Sequence, residues 1–173
     1  MILSPGLESF GMNGKIDTSP DTRFYLDTNV FIEIFEGRGP LSEMLSEFLI
    51  AVENQKRQRL VTSELTLAEL LVKPVALQRH DLIQVYDNWT ISNSYLEVVP
   101  VVREVLRDAA TLRANDKALK LPDAIHLTTA RGTGCRYFLT KDERIKGQYG
   151  VEILHLTQTN VELLLKASDN DPR

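Results

Sequence analysis

Five short apolar runs punctuate the chain: FYL at 24–26, LVT at 60–62, YLEVVP at 95–100, YFLT at 137–140 and VEILHL at 151–156, the last containing a strand. Longer stretches, with apolar residues three and four apart, separate them. This alternation constrains the fold more than any other feature of the sequence. A short apolar run bounded by turn residues fits a strand buried on both faces. A helix between two such strands carries the chain back, so that the next strand lies parallel to the last. The expected architecture is α/β: a three-layer α/β/α sandwich around a central, mainly parallel five-stranded sheet. In such sheets the ligand crevice lies outside the carboxyl ends of the strands, where strand order reverses.

Helices are expected at 30–37, ending near Gly37; at 41–57, opened by Pro40; at 64–73, capped by Ser63 and stopped by Pro74; and at 76–90. Others follow at 101–117, at 122–131 with Pro122 in the first turn, and at 158–167. Residues 1–22, with Pro5, Gly6, Gly11, Gly14, Ser19 and Pro20, read as a flexible N-terminal extension. Residues 23–167 form the expected domain, and 168–173 a polar tail. A chain of 173 residues is one domain's worth and buries roughly two thirds of its unfolded surface, enough to fold without a disulfide or structural metal. One cysteine, Cys135, excludes an internal disulfide framework, and three scattered histidines (His80, His126, His155) make no zinc motif. No apolar run has the length of a membrane span, and the N-terminus carries no secretory pattern, so a cytoplasmic location is expected. The net charge of −4 argues against tight, non-specific duplex binding.

Four carboxylates stand where strands end or within the helices that follow. Asp27 follows FYL directly, and Asp142 lies two residues past FLT. Asp123 sits beside Pro122 in the first turn of its helix. Each of these suits a helix start on its own, a stabilisation of roughly half a kcal/mol. Glu69 lies between Leu65 and Val72 on the helical wheel, with Thr66 and Lys73 on the solvated arc, so it borders the apolar stripe. An unpaired carboxylate is costly to bury there. Clustered carboxylates repel one another and raise each other's pKa. A hard divalent cation such as Mg²⁺ or Mn²⁺ offsets that repulsion, and this points to metal-dependent phosphodiester chemistry.

The segments YLDTNVFIEIF, SELTLAELL, LPDAIHLTTA and YFLTKDERIK, in this order, resemble a PIN domain from about Phe24 to Leu156. Within that family the resemblance is to the compact VapC-type toxins. It implies a PIN-like fold and hydrolysis of RNA phosphodiesters with one or two Mg²⁺ or Mn²⁺ ions, leaving a 5′-phosphate and a 3′-hydroxyl. It also implies a homodimer and a cognate antitoxin that blocks the site. The family's acids fall on Asp27, Glu69, Asp123 and Asp142, as catalytic and metal-holding residues. Asn29 and Thr140 match the polar residues that support them. The sequence departs from the pattern in its longer N-terminal extension. It departs again at His126 and Leu127, where small apolar residues are more usual.

Lys73, Lys141, Arg144 and Lys146 lie near the acids in sequence and are candidates for the RNA backbone, although each also suits solvated surface. His126 reads as a hydrogen-bonded, semi-buried residue, Cys135 as a small core residue, and Tyr86 and Trp89 as core or dimer surface. Three other readings stay open: a non-catalytic scaffold for RNA or protein, a nuclease outside any toxin–antitoxin pair, and a metal nuclease acting on DNA structures. A haloacid-dehalogenase-type phosphatase fits poorly, because that chemistry wants a second Asp where Asn29 stands.

Overall fold

A computed structural model of the chain describes residues 16–17, 19, 21–55 and 59–169. Residues 1–15, most of the expected extension, and 170–173 of the expected tail lie outside the described residues. The elements run β1 (Phe24–Leu26), α1 (Thr28–Glu36), α2 (Pro40–Asn54), β2 (Leu60–Ser63), α3 (Glu64–Ala76), α4 (His80–Trp89), β3 (Leu96–Val99), α5 (Arg103–Asn115), α6 (Leu121–Gly132), β4 (Tyr137–Thr140), β5 (Glu152–His155) and α7 (Gln158–Asp169). The sheet order is β3-β2-β1-β4-β5. Every pairing is parallel, so the mainly parallel sheet of the sequence reading is wholly parallel here.

The chain builds outward from β1 through β2 to β3, then crosses back to lay β4 against the other side of β1. Strand order therefore reverses between β1 and β4, and the crevice expected of such folds opens at their carboxyl ends. Asp27 follows β1 and Lys141 follows β4 at that edge.

Side chains of successive strand residues point to opposite faces, and this sorts the core into two layers. Phe24, Leu26, Leu60, Tyr137 and Leu139 pack with Val30 and Phe31 of α1, Phe48 and Val52 of α2, and Val161 and Leu164 of α7. Tyr25, Val61 and Phe138 face the other way, onto Leu127 and Ala130 of α6. Val105 and Leu112 of α5, with Val101 just before it, pack on Ala124 and Ile125 of α6. Helices thus cover both faces, which gives the three-layer sandwich. From the described end of the extension, Ile16 packs against the first of these clusters, and the Asp17 amide donates to the Tyr137 hydroxyl at 2.8 Å.

Three expectations need correction. Pro74 does not stop α3 at 73; the helix runs through it to Ala76. The proline costs one interior hydrogen bond, but its ring is buried, and the last turn closes through Leu77 N–H to Lys73 O and Arg79 N–H to Pro74 O. The next helix consequently begins at His80 rather than 76, after a turn in which Gln78 takes a positive φ of 53°. The wheel of α3 is also rotated. Thr66 is fully buried, bonded to Thr62, and Val72 is 69% exposed. The buried face of α3 is Thr66, Leu70 and Pro74, and Glu69 borders that face instead.

Candidate metal centre

Asp27 is the fixed point of the crevice. The end of β1 is tied to β4 by the Asp27 amide, which donates to Leu139 O at 3.1 Å. The residue then caps α1, with Oδ1 accepting the Thr28 N–H at 2.7 Å. Its other oxygen, Oδ2, accepts Asn29 Nδ2 and Thr140 Oγ1, both at 2.6 Å. Only 8% of the residue is exposed. Burial raises its pKa above the ordinary carboxylate value; His126 and the Thr140 hydrogen bond pull the other way without cancelling it.

Asn29 and Thr140 knit the two strand ends together. Thr140 Oγ1 also accepts Asn29 Nδ2 at 3.1 Å and the Asp142 N–H at 3.0 Å. Asn29 Oδ1 accepts the Lys141 N–H at 2.6 Å. The two residues hold Asp27 in place and set the path of the loop that carries Asp142.

Glu69 reaches the crevice from α3. Its Oε2 accepts the Thr28 hydroxyl and lies 2.8 Å from His126 Nε2. Burial pushes its pKa up, but the bonds from His126 and Thr28 outweigh this, and the carboxyl ends below its ordinary value. His126, on α6, is 1% exposed, and its Nδ1 lies 2.8 Å from the Tyr25 hydroxyl. Asp27, Glu69 and His126 offer donor atoms that all lie within 4.8 Å of one another.

Asp123 and Asp142 stand outside that trio. Asp123 is the third residue of α6, and its Oδ2 accepts the Lys120 N–H at 3.3 Å. Burial raises its pKa, and the negative charge of Asp142 adds to the rise. Asp142 is bound by Arg144 through both carboxylate oxygens, a charge-assisted pair that lowers its pKa to about 2. The four predicted acids therefore form two neighbouring sets: Asp27 with Glu69, and Asp123 with Asp142. Asn29 and Thr140 connect them.

Three of the four predicted cations face acids. Lys73 pairs with Glu36 at 2.6 Å, Lys141 with Glu33, and Arg144 with Asp142. Lys146 is exposed on the loop after β4. Lys73 also lines a surface cleft of about 300 Å³ with Phe35, Arg38, Pro74, Leu77 and Arg79.

Sequence reasoning undervalued His126 and passed over Tyr25. Both carried a signal. His126 is three residues past Asp123, so the two share a face of α6. Tyr25 is two residues before Asp27, on the same side of β1.

The donor set suits a divalent ion. Carboxylate oxygens are the ligands of Mg²⁺ and Mn²⁺, and the charged form of Asp27 carries a burial cost that a cation would offset. Fold and site together define a class: a parallel α/β domain with an acidic, metal-competent crevice at its topological switch point. The PIN domain family matches residues 24–150, and the chain belongs to that family.

Solved structures similar to this one include a toxin–antitoxin complex and VapBC assemblies. A toxin–antitoxin complex from Klebsiella pneumoniae aligns at 26% identity with a TM-score of 0.54, covering 73% of this chain and 93% of that one. The DNA-bound VapBC of Salmonella typhimurium aligns at 19% identity and a TM-score of 0.60, covering 79% and 99%. VapBC2 of Rickettsia felis, bound to a promoter DNA fragment, aligns at 14% and 0.61, covering 79% and 100%. No curated protein matches the chain. Among the described residues no helix is long and apolar enough to cross a membrane.

Proposed function

We propose that this chain is a metal-dependent endoribonuclease of the VapC type, the toxin of a toxin–antitoxin pair. The observation that carries the reading is Asp27: a buried carboxylate fixed by three donors at the switch point of a PIN domain, with Glu69 beside it. A carboxylate held so tightly in a raised-pKa environment is poised to take a cation.

In this reading Asp27, Asp123 and Asp142 would hold one or two Mg²⁺ or Mn²⁺ ions, and Glu69 would contact the ion or a water beside it. The bound ion supplies Lewis acidity at a phosphate oxygen and a water of lowered pKa. The protein supplies orientation. Thr140 and Asn29 keep Asp27 from rotating, and the α1 N-terminus favours its charged form against the cost of burial. Glu69, held below its ordinary carboxylate value by His126 and Thr28, would orient the attacking water as a hydrogen-bond acceptor. Arg144 is 67% exposed while it pairs with Asp142, so its guanidinium is free to exchange that partner for an RNA phosphate. Lys73, Lys141 and Lys146 extend the same role along the backbone.

The cognate antitoxin belongs to the same proposal, by likeness to the complexes above, and a homodimer is what the family resemblance implies. A solved relative at 13% identity, VapC20 of Mycobacterium tuberculosis, is described as a sarcin–ricin-loop-cleaving toxin, which makes a hairpin RNA a sound first substrate. The test incubates purified protein with structured RNA in Mg²⁺, in Mn²⁺ and in EDTA, beside Asp27→Asn. Cleavage that needs metal and falls by about a hundredfold or more in the variant is expected. A well-folded protein that binds no metal and cuts no RNA would return the chain to the scaffold reading.

A further inference from the structure

His126 is a buried ring at the crevice that the mechanism above does not use. Its two nitrogens are both engaged. Nε2 lies 2.8 Å from Glu69 Oε2 and 3.4 Å from Thr28 Oγ1, and Nδ1 lies 2.8 Å from the Tyr25 hydroxyl. An ionised Glu69 can only accept, so the proton of a neutral ring sits on Nε2. Nδ1 is then an acceptor, and the Tyr25 O–H must donate to it. Tyr25 is fully buried, and burial pushes its hydroxyl far up, so it stays protonated and able to donate. The result is a directional chain, from Tyr25 O–H to His126 Nδ1 and from His126 Nε2–H to Glu69.

We propose that His126, set by Tyr25, is the positioning residue of Glu69. Both the His126 and Thr28 bonds fall on Oε2, which leaves the lone pairs of the other carboxylate oxygen for a cation or a water. A glutamate on a helix has three rotatable side-chain bonds, and here its head is held by one donor from α1 and one from α6. The same tautomer keeps His126 out of the ligand set despite its place in the donor trio. A nitrogen that carries a proton toward Glu69 has no lone pair to offer a metal.

The inference rests on the nuclease reading for its consequence, but its core is testable without RNA or metal. Nitrogen-15 NMR of the metal-free protein should find His126 as the Nε2–H tautomer, with its Nδ1 shift altered in Tyr25→Phe. The Nδ1–H tautomer would overturn the proposal. On titration with Mg²⁺ alone, the Nε2 proton should stay in place; its loss would make His126 a ligand and overturn the proposal.

His126→Leu fills the space without a donor, and His126→Gln returns an amide N–H near the Nε2 position. With folding matched by urea titration, His126→Leu should weaken Mn²⁺ binding in calorimetry, or lower kcat on hairpin RNA at little-changed KM, by about tenfold or more. His126→Gln should recover most of the loss. Wild-type Mn²⁺ affinity and kcat in a folded His126→Leu variant would reduce His126 to a core residue. A wild-type protein that binds metal and cuts no RNA would defeat the nuclease reading alone, leaving the tautomer and calorimetry to decide this one.

Discussion

Arg144 lays Nε and Nη2 across both oxygens of Asp142, while Asp27, a short way along the same edge, has burial as its main influence. The two carboxylates consequently respond to acid in opposite senses. Asp142 has a folded pKa of about 2 against an ordinary 3.8, so the stability it contributes is complete above 3.8 and is lost as the pH falls through about 2. Asp27 is raised, so its contribution is present below 3.8 and lost as the pH rises through its folded value. Replacing Arg144 by Ala should return Asp142 toward 3.8, read as a carboxyl carbon-13 titration. An unchanged midpoint would mean that other groups hold the acid down. The stability cost should be small, because an ion pair this open to solvent contributes about 1 kcal/mol or less.

Among the elements, α1 links the centre to the cleft beside it. Its first residue, Thr28, donates to Glu69 of α3, and its last, Glu36, accepts from Lys73 of α3 and from the Tyr86 hydroxyl of α4. The position that follows the helix requires glycine for a steric reason. A Cβ there would lie 2.2 Å from the Glu33 carbonyl oxygen to which the Gly37 N–H donates at 3.0 Å. Gly37→Ala should therefore destabilise the fold by about 1–3 kcal/mol, the usual cost of forced overpacking, measured by urea denaturation. Loss of stability within error of zero would show that the end of α1 shifts freely. Gly37 was legible as a helix stop, but its contact with Glu33 was not, because a helical wheel does not describe the residue past the last turn.

On the scale of the molecule, the crevice exists because the chain crosses from β3 back to β4 and places Asp27 and Thr140 side by side across 113 residues of sequence. The price of that meeting is a buried carboxylate at Asp27, whose charged form burial disfavours. A cation should repay it as thermal stability. At a hundredfold excess of Mn²⁺ over its Kd, binding to the folded state adds about 2.7 kcal/mol. For a domain of this size that is a rise in Tm of roughly 5–10 °C. The rise should be lost in Asp27→Asn, by differential scanning calorimetry; an equal rise in both proteins would place the ion elsewhere.

The alternation of apolar runs and helical stretches determined the α/β class, the number of strands and the edge at which the acids gather, because strand and helix periods and the right-handed crossover are local or near-local rules. The places of Asp27 after β1, Asp142 after β4 and Asp123 in the first turn of α6 were readable for the same reason, whereas Asn29 rested on the family resemblance and Glu69 was set beside the wrong stripe of α3. Tertiary structure decided the rest. It buried Thr66 by pairing it with Thr62 and left Val72 in solvent, against the order of hydrophobicity. It carried α3 through Pro74, because the buried ring and two downstream hydrogen bonds offset the missing N–H. It also joined Tyr25, His126 and Glu69, residues from a strand and two helices whose meeting depends on how α3 and α6 pack beside β1. Local sequence specifies what each segment prefers; which partners each side chain meets is set only when the layers close.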